Sequence, residues 1–274
     1  MVNYAMVNAV DWLRDFQKEH GMSDYALVSG DDGKTYQVKF NSSNSKELIA
    51  HYIASSIGVP IPSAKIIFIK DDLFDDIHSK LPTISKSPSD NYFAMEWQAN
   101  TVKWATYDEF IDEMSYVENF DEFLSIFPFD QYLRNYDRHK DNHLIVKKDS
   151  KKKFYNTIDA DRIMAGKSFL NILDELEKFD CLYLLYGSVC GSLLYDLVED
   201  SDFTDIIKYS NSISIITKED IRDLLDICEA LYSISNAEKD NIDTFLIQRK
   251  DKIFDACLSN AKCYPKVKRS LYAN

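Results

Sequence analysis

Asp137, Asn142 and Asp159 are the residues whose types and spacing could do chemistry in this sequence. They lie in "NYDRHKDN" and "YNTIDADR", on either side of strand-like "HLIV" and "KFYNTI". A carboxylate five positions before an amide puts both on one loop, and a strand pair over 144–146 and 154–158 would bring the second carboxylate back to them. Phosphoryl transfer from a nucleotide needs such a set: one carboxylate to orient the attacking hydroxyl, and an amide with a second carboxylate to hold Mg²⁺ against the phosphates. The same chemistry needs a cation on the phosphates and a backbone cover over them. Lys39 in "TYQVKF", just after the glycine turn "SGDDGK", is the candidate cation.

Each of these residues also has a plainer reading. The acids and Asn142 would serve equally in a hydrogen-bonded loop with caps, and Lys39 could be an exposed strand-end lysine. "VSGDDGKT" nearly spells a Walker A loop, but Val28 stands where a glycine is required and a strand follows instead of a helix. His139 and His143 have a zinc-like spacing without the Glu and third ligand such a site requires, so His139 reads as a buttress of the loop. Arg138 is either a substrate or phosphate contact or the structural partner of a nearby acid. The aromatic runs "FDEFLSIFPF" and "LYLLYG" read as core.

The elements that must position these groups follow from pattern. Val7, Val10, Leu13 and Phe16 predict an amphipathic helix over 6–19. Strands over 25–29 and 35–40 flank the Asp-Gly turn. A helix over 44–57 stops at Gly58, ahead of Pro60 and Pro62, and a strand over 64–69 follows. Residues 71–90 read as an exposed excursion and "NYFAMEW" as a buried strand. From about Tyr107 the pattern is mostly helical, which is an α+β distribution in two lobes.

With 274 residues, 45% of them hydrophobic, the chain can bury a large core or two modest ones. A formal charge of −13 repels phosphate backbones, and no long basic run offsets it, so no nucleic-acid partner is expected. Five scattered cysteines without a C-x-x-C pair suggest neither disulfides nor zinc and point to a reducing cytoplasm. No run is apolar enough for a membrane span, and the amino terminus lacks a signal-peptide pattern.

"NYDRHKDN" followed by "ID", with "VKF" and "IGVPIP" upstream, resembles the HipA-like kinases, a branch of the protein-kinase-like fold related to the phosphoinositide kinases. The resemblance spans roughly residues 25–165. It implies a bilobal α+β fold, with a small β-rich N-lobe over 1–97 (amino-terminal helix, glycine turn, Lys strand, hinge) and a mostly helical C-lobe over 98–274. It implies ATP and Mg²⁺, with Asp137 as the catalytic Asp beside Arg138 and His139, and Asn142 and Asp159 as metal ligands. Lys39 becomes the phosphate-contacting lysine, and Ser29, Gly30, Asp31, Asp32, Gly33 and Lys34 the phosphate loop. Residues 93–97, including Met95, Glu96 and Trp97, become the hinge that meets adenine.

Three departures stand out. The family commonly has Glu in the helix after the Lys strand, where this chain has His51; Glu47, one turn earlier on the same face, is the alternative partner for Lys39. "IDADRIM" puts Asp161 and Arg162 where the family often has a small pair. The amino-terminal domain of the family's namesake toxin is missing ahead of residue 25, so a DNA-bound antitoxin complex is not implied. The expected activity is transfer of the γ-phosphate to a Ser or Thr of a protein, with Ser29 one site for self-modification. A pseudokinase or nucleotide-binding regulatory module, and a phosphoinositide or small-molecule kinase, are the alternatives.

Overall fold

The computed structural model describes residues 4–15, 25–40, 44–135, 137–138, 142–149, 152–160, 162–179 and 203–261. Five strands close a small barrel: β1 (Met6–Trp12), β2 (Tyr25–Gly30), β3 (Thr35–Lys39), β4 (Ala64–Phe68) and β5 (Asn91–Glu96), in the order β1-β2-β3-β5-β4. Closure leaves no open edge among these strands. Val28, Tyr36, Val38, Ile67, Tyr92 and Ala94 are buried in one cluster with Val7 and Trp12 from β1.

β1 replaces the first part of the amino-terminal helix expected over 6–19; Arg14 and Asp15 are helical, and 16–19 lie outside the described residues. The strand pairs antiparallel with β2 and parallel with β4. Val7, Ala9 and Trp12 face inward, whereas Val10 is 61% and Leu13 41% exposed. A register shift between Ala9 and Asp11 breaks the strict alternation of the inward-facing residues, and two of the residues that made up the helical period, Val10 and Leu13, are not in the core. Backbone bonding to two strands at once outweighs that local preference. The expected excursion at 71–90 also contains an element: α2 (Asp71–Lys80) buries Phe74 and Ile77 against the barrel and carries Asp71 and Asp72 in its first turn.

Between β3 and β4 runs α1 (Asn44–Ile57), which buries Leu48, Ile49, Ile53 and Ile57. Gly58, at φ 81°, ends it by accepting the left-handed conformation after the last turn. α1 packs against β5 on one side and against a helix of the carboxy-terminal part on the other.

The rest is mostly helical. α3 (Tyr107–Met114) and α4 (Phe120–Phe123) lead to α5 (Ile126–Leu133), all eight residues of which are buried. The hairpin β6 (His143–Lys147) and β7 (Lys153–Thr157) follows, paired His143 to Thr157 and Lys147 to Lys153. After a 3-10 stretch, Phe169–Glu175, come α6 (Phe203–Ser212), α7 (Lys218–Tyr232), α8 (Asn236–Lys250) and α9 (Ile253–Ala261). Thr217 with Asp220, and Ser235 with Glu238, form capping boxes at the starts of α7 and α8. Cys228 and Cys257 are buried and unbridged. Among the described residues no helix is long and apolar enough to cross a membrane.

Candidate active site

Arg134 ends α5 in the left-handed conformation, and the chain turns into the loop that carries Asp137. Two groups from α5 and the turn hold this loop. Asp130 accepts from the Asn135 side chain at 3.1 Å, and Asn135 Oδ1 accepts from the Asp137 amide at 3.3 Å. Arg138 is 1% exposed and forks onto Asp130 at 2.7 and 3.0 Å. Its third nitrogen donates to Thr157 Oγ1 at 2.6 Å and to the Ile158 carbonyl at 2.9 Å. Of the two roles open to Arg138 the geometry gives the structural one: its fork ties the loop to α5 and to the end of β7.

Asn142 completes the tie. Its Nδ2 donates to the Asp137 carbonyl at 2.6 Å, and its own carbonyl accepts from the Ile158 amide at 3.1 Å. One residue on, Asp159 adopts φ 57°, which an aspartate tolerates better than most side chains. Its Oδ1 accepts from Lys39 Nζ at 2.9 Å. Lys39 is also ion-paired with Glu47 of α1, a buried carboxylate that accepts from the Ala160 amide at 3.3 Å.

Asp137, Asn142, Asp159, Lys39 and Glu47 thus form one connected set, drawn from positions 120 residues apart. Burial opposes the charge on Lys39, but Glu47 and Asp159 outweigh it and hold its pKa above the usual lysine range. Burial raises the Glu47 carboxyl, an effect that Lys39 only partly offsets. His51 does not take the Lys39 position. It is buried, with one ring nitrogen on the Tyr4 hydroxyl and the other on the Pro62 carbonyl, both at 3.0 Å.

The turn carrying Ser29 to Lys34 is not part of this set. The register pairs Tyr25 with Lys39 and Ser29 with Thr35, so the turn lies at the opposite end of the hairpin from Lys39, roughly 13 Å away at the rise of an extended strand. Gly33, at φ 80°, shapes the turn, Asp31 bonds Asn8, and Asp32 accepts from the Tyr36 hydroxyl. Lys34 pairs with Glu96 at 2.6 Å. Of the residues expected in the phosphate loop, Lys34 is thus tied to the end of β5. Tyr25, where β2 begins, is the residue that meets the Lys39 end, and residues 16–24 lie outside the described residues.

At the end of β5, Met95 pairs with Gln37 on one side and Ala64 on the other. The Glu96 amide donates to the Ser63 carbonyl at 2.7 Å and the Trp97 amide to the Thr35 carbonyl at 2.8 Å. The Glu96 carbonyl accepts from the Gln98 side chain at 3.0 Å. Those two amides are thus hydrogen-bonded within the β-rich part of the chain.

His139 and Asp161 lie outside the described residues. His143 is buried on the Tyr155 hydroxyl at 2.7 Å, which accounts for it without a metal. Asp130 is the residue that sequence reasoning missed. Its signal was an acid inside the apolar run "FPFDQYL", where a buried carboxylate needs a cationic partner.

A family model described as HipA-like kinase matches residues 15–162, a span that includes Lys39, Glu47, Asp137, Asn142 and Asp159. Among solved structures, the Helicobacter pylori proinflammatory kinase CtkA matches with a TM-score of 0.51 and 17% identity, over 87% of this chain and 94% of that one. A chain of the Shewanella oneidensis MR-1 toxin–antitoxin complex of HipA, HipB and operator DNA matches with a TM-score of 0.39 and 8% identity, over 88% of this chain and 60% of that one. No curated protein matches.

Proposed function

The chain belongs to the HipA-like kinase family, and from that membership we propose that it is an ATP-dependent, Mg²⁺-requiring kinase acting on a Ser or Thr hydroxyl of a protein. In this reading the chain is bilobal, with the nucleotide cleft between residues 1–97 and 98–274. The observation that carries it is the connected set of Lys39, Glu47, Asp159, Asn142 and Asp137.

The donor set fits the cofactor. Asp159 and Asn142 offer oxygens, and Mg²⁺ takes one or two protein oxygens plus phosphate and water. Among the described residues there is no cluster of three His, Cys, Asp or Glu that would favour a different metal site. When bound, Mg²⁺ supplies charge neutralisation on the phosphates. Glu47 fixes Lys39 where a phosphate oxygen can accept from it. Asp137, 46% exposed at its side chain, orients the acceptor hydroxyl for in-line attack and takes its proton.

The nucleotide-binding module without catalysis was motivated by His51 and by the segment after Asp159. The pairing of Glu47 with Lys39 supports the active reading instead. Incubation with Mg²⁺ and γ-labelled ATP tests it, alone and with cell lysate. Asp137→Asn is expected to lower label transfer by roughly 10²–10⁴-fold while ATP still binds. Equal transfer by both proteins would remove Asp137 from its role.

A further inference from the structure

A separate cavity of about 740 Å³ is lined by none of Lys39, Asp137, Asn142 or Asp159. It lies between the first turn of α1, residues 85–88 ahead of β5, residues 162–169 after Asp159, and the junction of α7 and α8. Its size suits a small ligand or a short peptide segment.

The charge of its wall runs against that of the chain. Among the described residues Lys46, Lys86, Arg162 and Lys167 face it with Glu238 as the one lining acid, whereas the chain has 32 basic and 45 acidic residues. Acids behind the wall hold two of these cations in place: Asp71 and Asp90 for Lys86, and Asp174 and Glu175 for Lys167. An ammonium has three donors, so each can still take an anionic acceptor. The first turn of α1 adds the positive end of a helix.

Asn44 is the second observation. It lines the cavity at 3% exposure, and its Nδ2 donates to the Lys39 carbonyl at 2.6 Å. Its Oδ1 is buried without a hydrogen-bond partner. Such an acceptor calls for a donor. A bare phosphate dianion supplies none, but a peptide N–H beside a phosphate does.

We propose that this cavity binds a phosphoserine- or phosphothreonine-bearing protein segment, a reading that rests on the kinase assignment above. Arg162 Nε lies 4.0 Å from Asp137, so the site adjoins the position of an acceptor hydroxyl. Asn44 joins it to the strand end that carries Lys39. Two sources supply such a segment: another protein already phosphorylated, or this chain after taking the γ-phosphoryl of ATP on its own hydroxyl and releasing ADP.

The test uses a fluorescein-labelled peptide pool with a central phosphoserine and randomised flanks, beside the same pool unphosphorylated. Binding is read by anisotropy without nucleotide, on full-length protein treated with phosphatase or preincubated with Mg²⁺ and ATP. The phosphatase-treated protein is expected to bind the phosphorylated pool about tenfold more tightly, and Lys46→Glu to lose about that factor while ATP binding is unchanged. Binding lost after preincubation assigns the segment to this chain; binding retained assigns it to another protein. Equal binding of the two pools, or full binding by Lys46→Glu, overturns the proposal. A protein that binds phosphopeptide but no ATP would sink the kinase reading and leave the cavity assignment standing.

Discussion

Arg138 and Asp130 lie beside Asp137 in the fold, yet their work is positional, which separates stability from turnover. Removing one partner of a buried pair strands the other, at about 3–5 kcal/mol, whereas replacing both by apolar residues can be nearly neutral. Arg138→Met is therefore expected to unfold at much lower urea than the parent, and Arg138→Met with Asp130→Leu to recover much of that loss. The double variant is expected to stay impaired in label transfer, because Thr157 and Ile158 have lost their tie to the loop. Recovery of full transfer would show that the fork is not needed for positioning. His51 gives a pH-dependent case. Burial lowers its pKa from 6.5 to about 4, with its bond to Pro62 opposing. Between those values the unfolded chain takes up a proton that the folded chain refuses. Stability from this residue is thus complete above pH 6.5 and lost as pH falls toward 4, by up to about 3 kcal/mol. Thermal unfolding of His51→Gln is expected to depend less on pH across that window; parallel curves for the two proteins would refute it.

Among elements, the sequence was legible where local signals agreed with burial. α1 runs over the expected residues because a run of buried apolar positions, Gly58 and two prolines all mark the same boundary. The β2–β3 hairpin formed around its Asp-Gly turn for the same reason. The turn expected to bind phosphate lies at the far end of the hairpin from Lys39. Four strand residues separate it from Lys39, a distance already implicit in a hairpin. β1 was illegible because its register shift hides the alternation. Asp137, Asn142 and Asp159 were legible as a set, whereas the residues that bring them together were not, since Asp130 reads locally as one polar position in a helix. The turn also carries a packing test. A Cβ on Gly30 would approach Val7 Cγ1 to 2.6 Å and Tyr36 Cε2 to 3.0 Å, both on buried side chains. Gly30→Ala is expected to cost about 1–3 kcal/mol in chemical denaturation, and adding Val7→Ala to return part of it. An additive loss in the double variant would rule out this clash.

At the scale of the whole molecule, the buried guanidinium of Arg249 on α8 binds the two parts of the helical region. It donates to the carbonyls of Gln131 and Tyr132 on α5 and to those of Glu175, Leu176 and Lys178 at the end of the 3-10 stretch and just after it. Burial lowers its pKa to about 9, so it stays charged at neutral pH. The end of α5 and the segment after Asp159 are thereby fastened to one side chain. The closing strand has a consequence in the order of synthesis. β1 is made early, yet Met6 pairs with Ile66, a partner that follows sixty residues later. Everything between them, α1 included, must be made before the barrel can close, and such distant pairings form slowly. In refolding followed by pulsed hydrogen exchange, amides of β1 and β4 are expected to gain protection together, and after those of the local β2–β3 hairpin. Early protection of β1 alone would contradict this. Glu47 lies within that same interval, so the pairing that readies Lys39 and the sealing of the barrel belong to one late event in the life of each new chain.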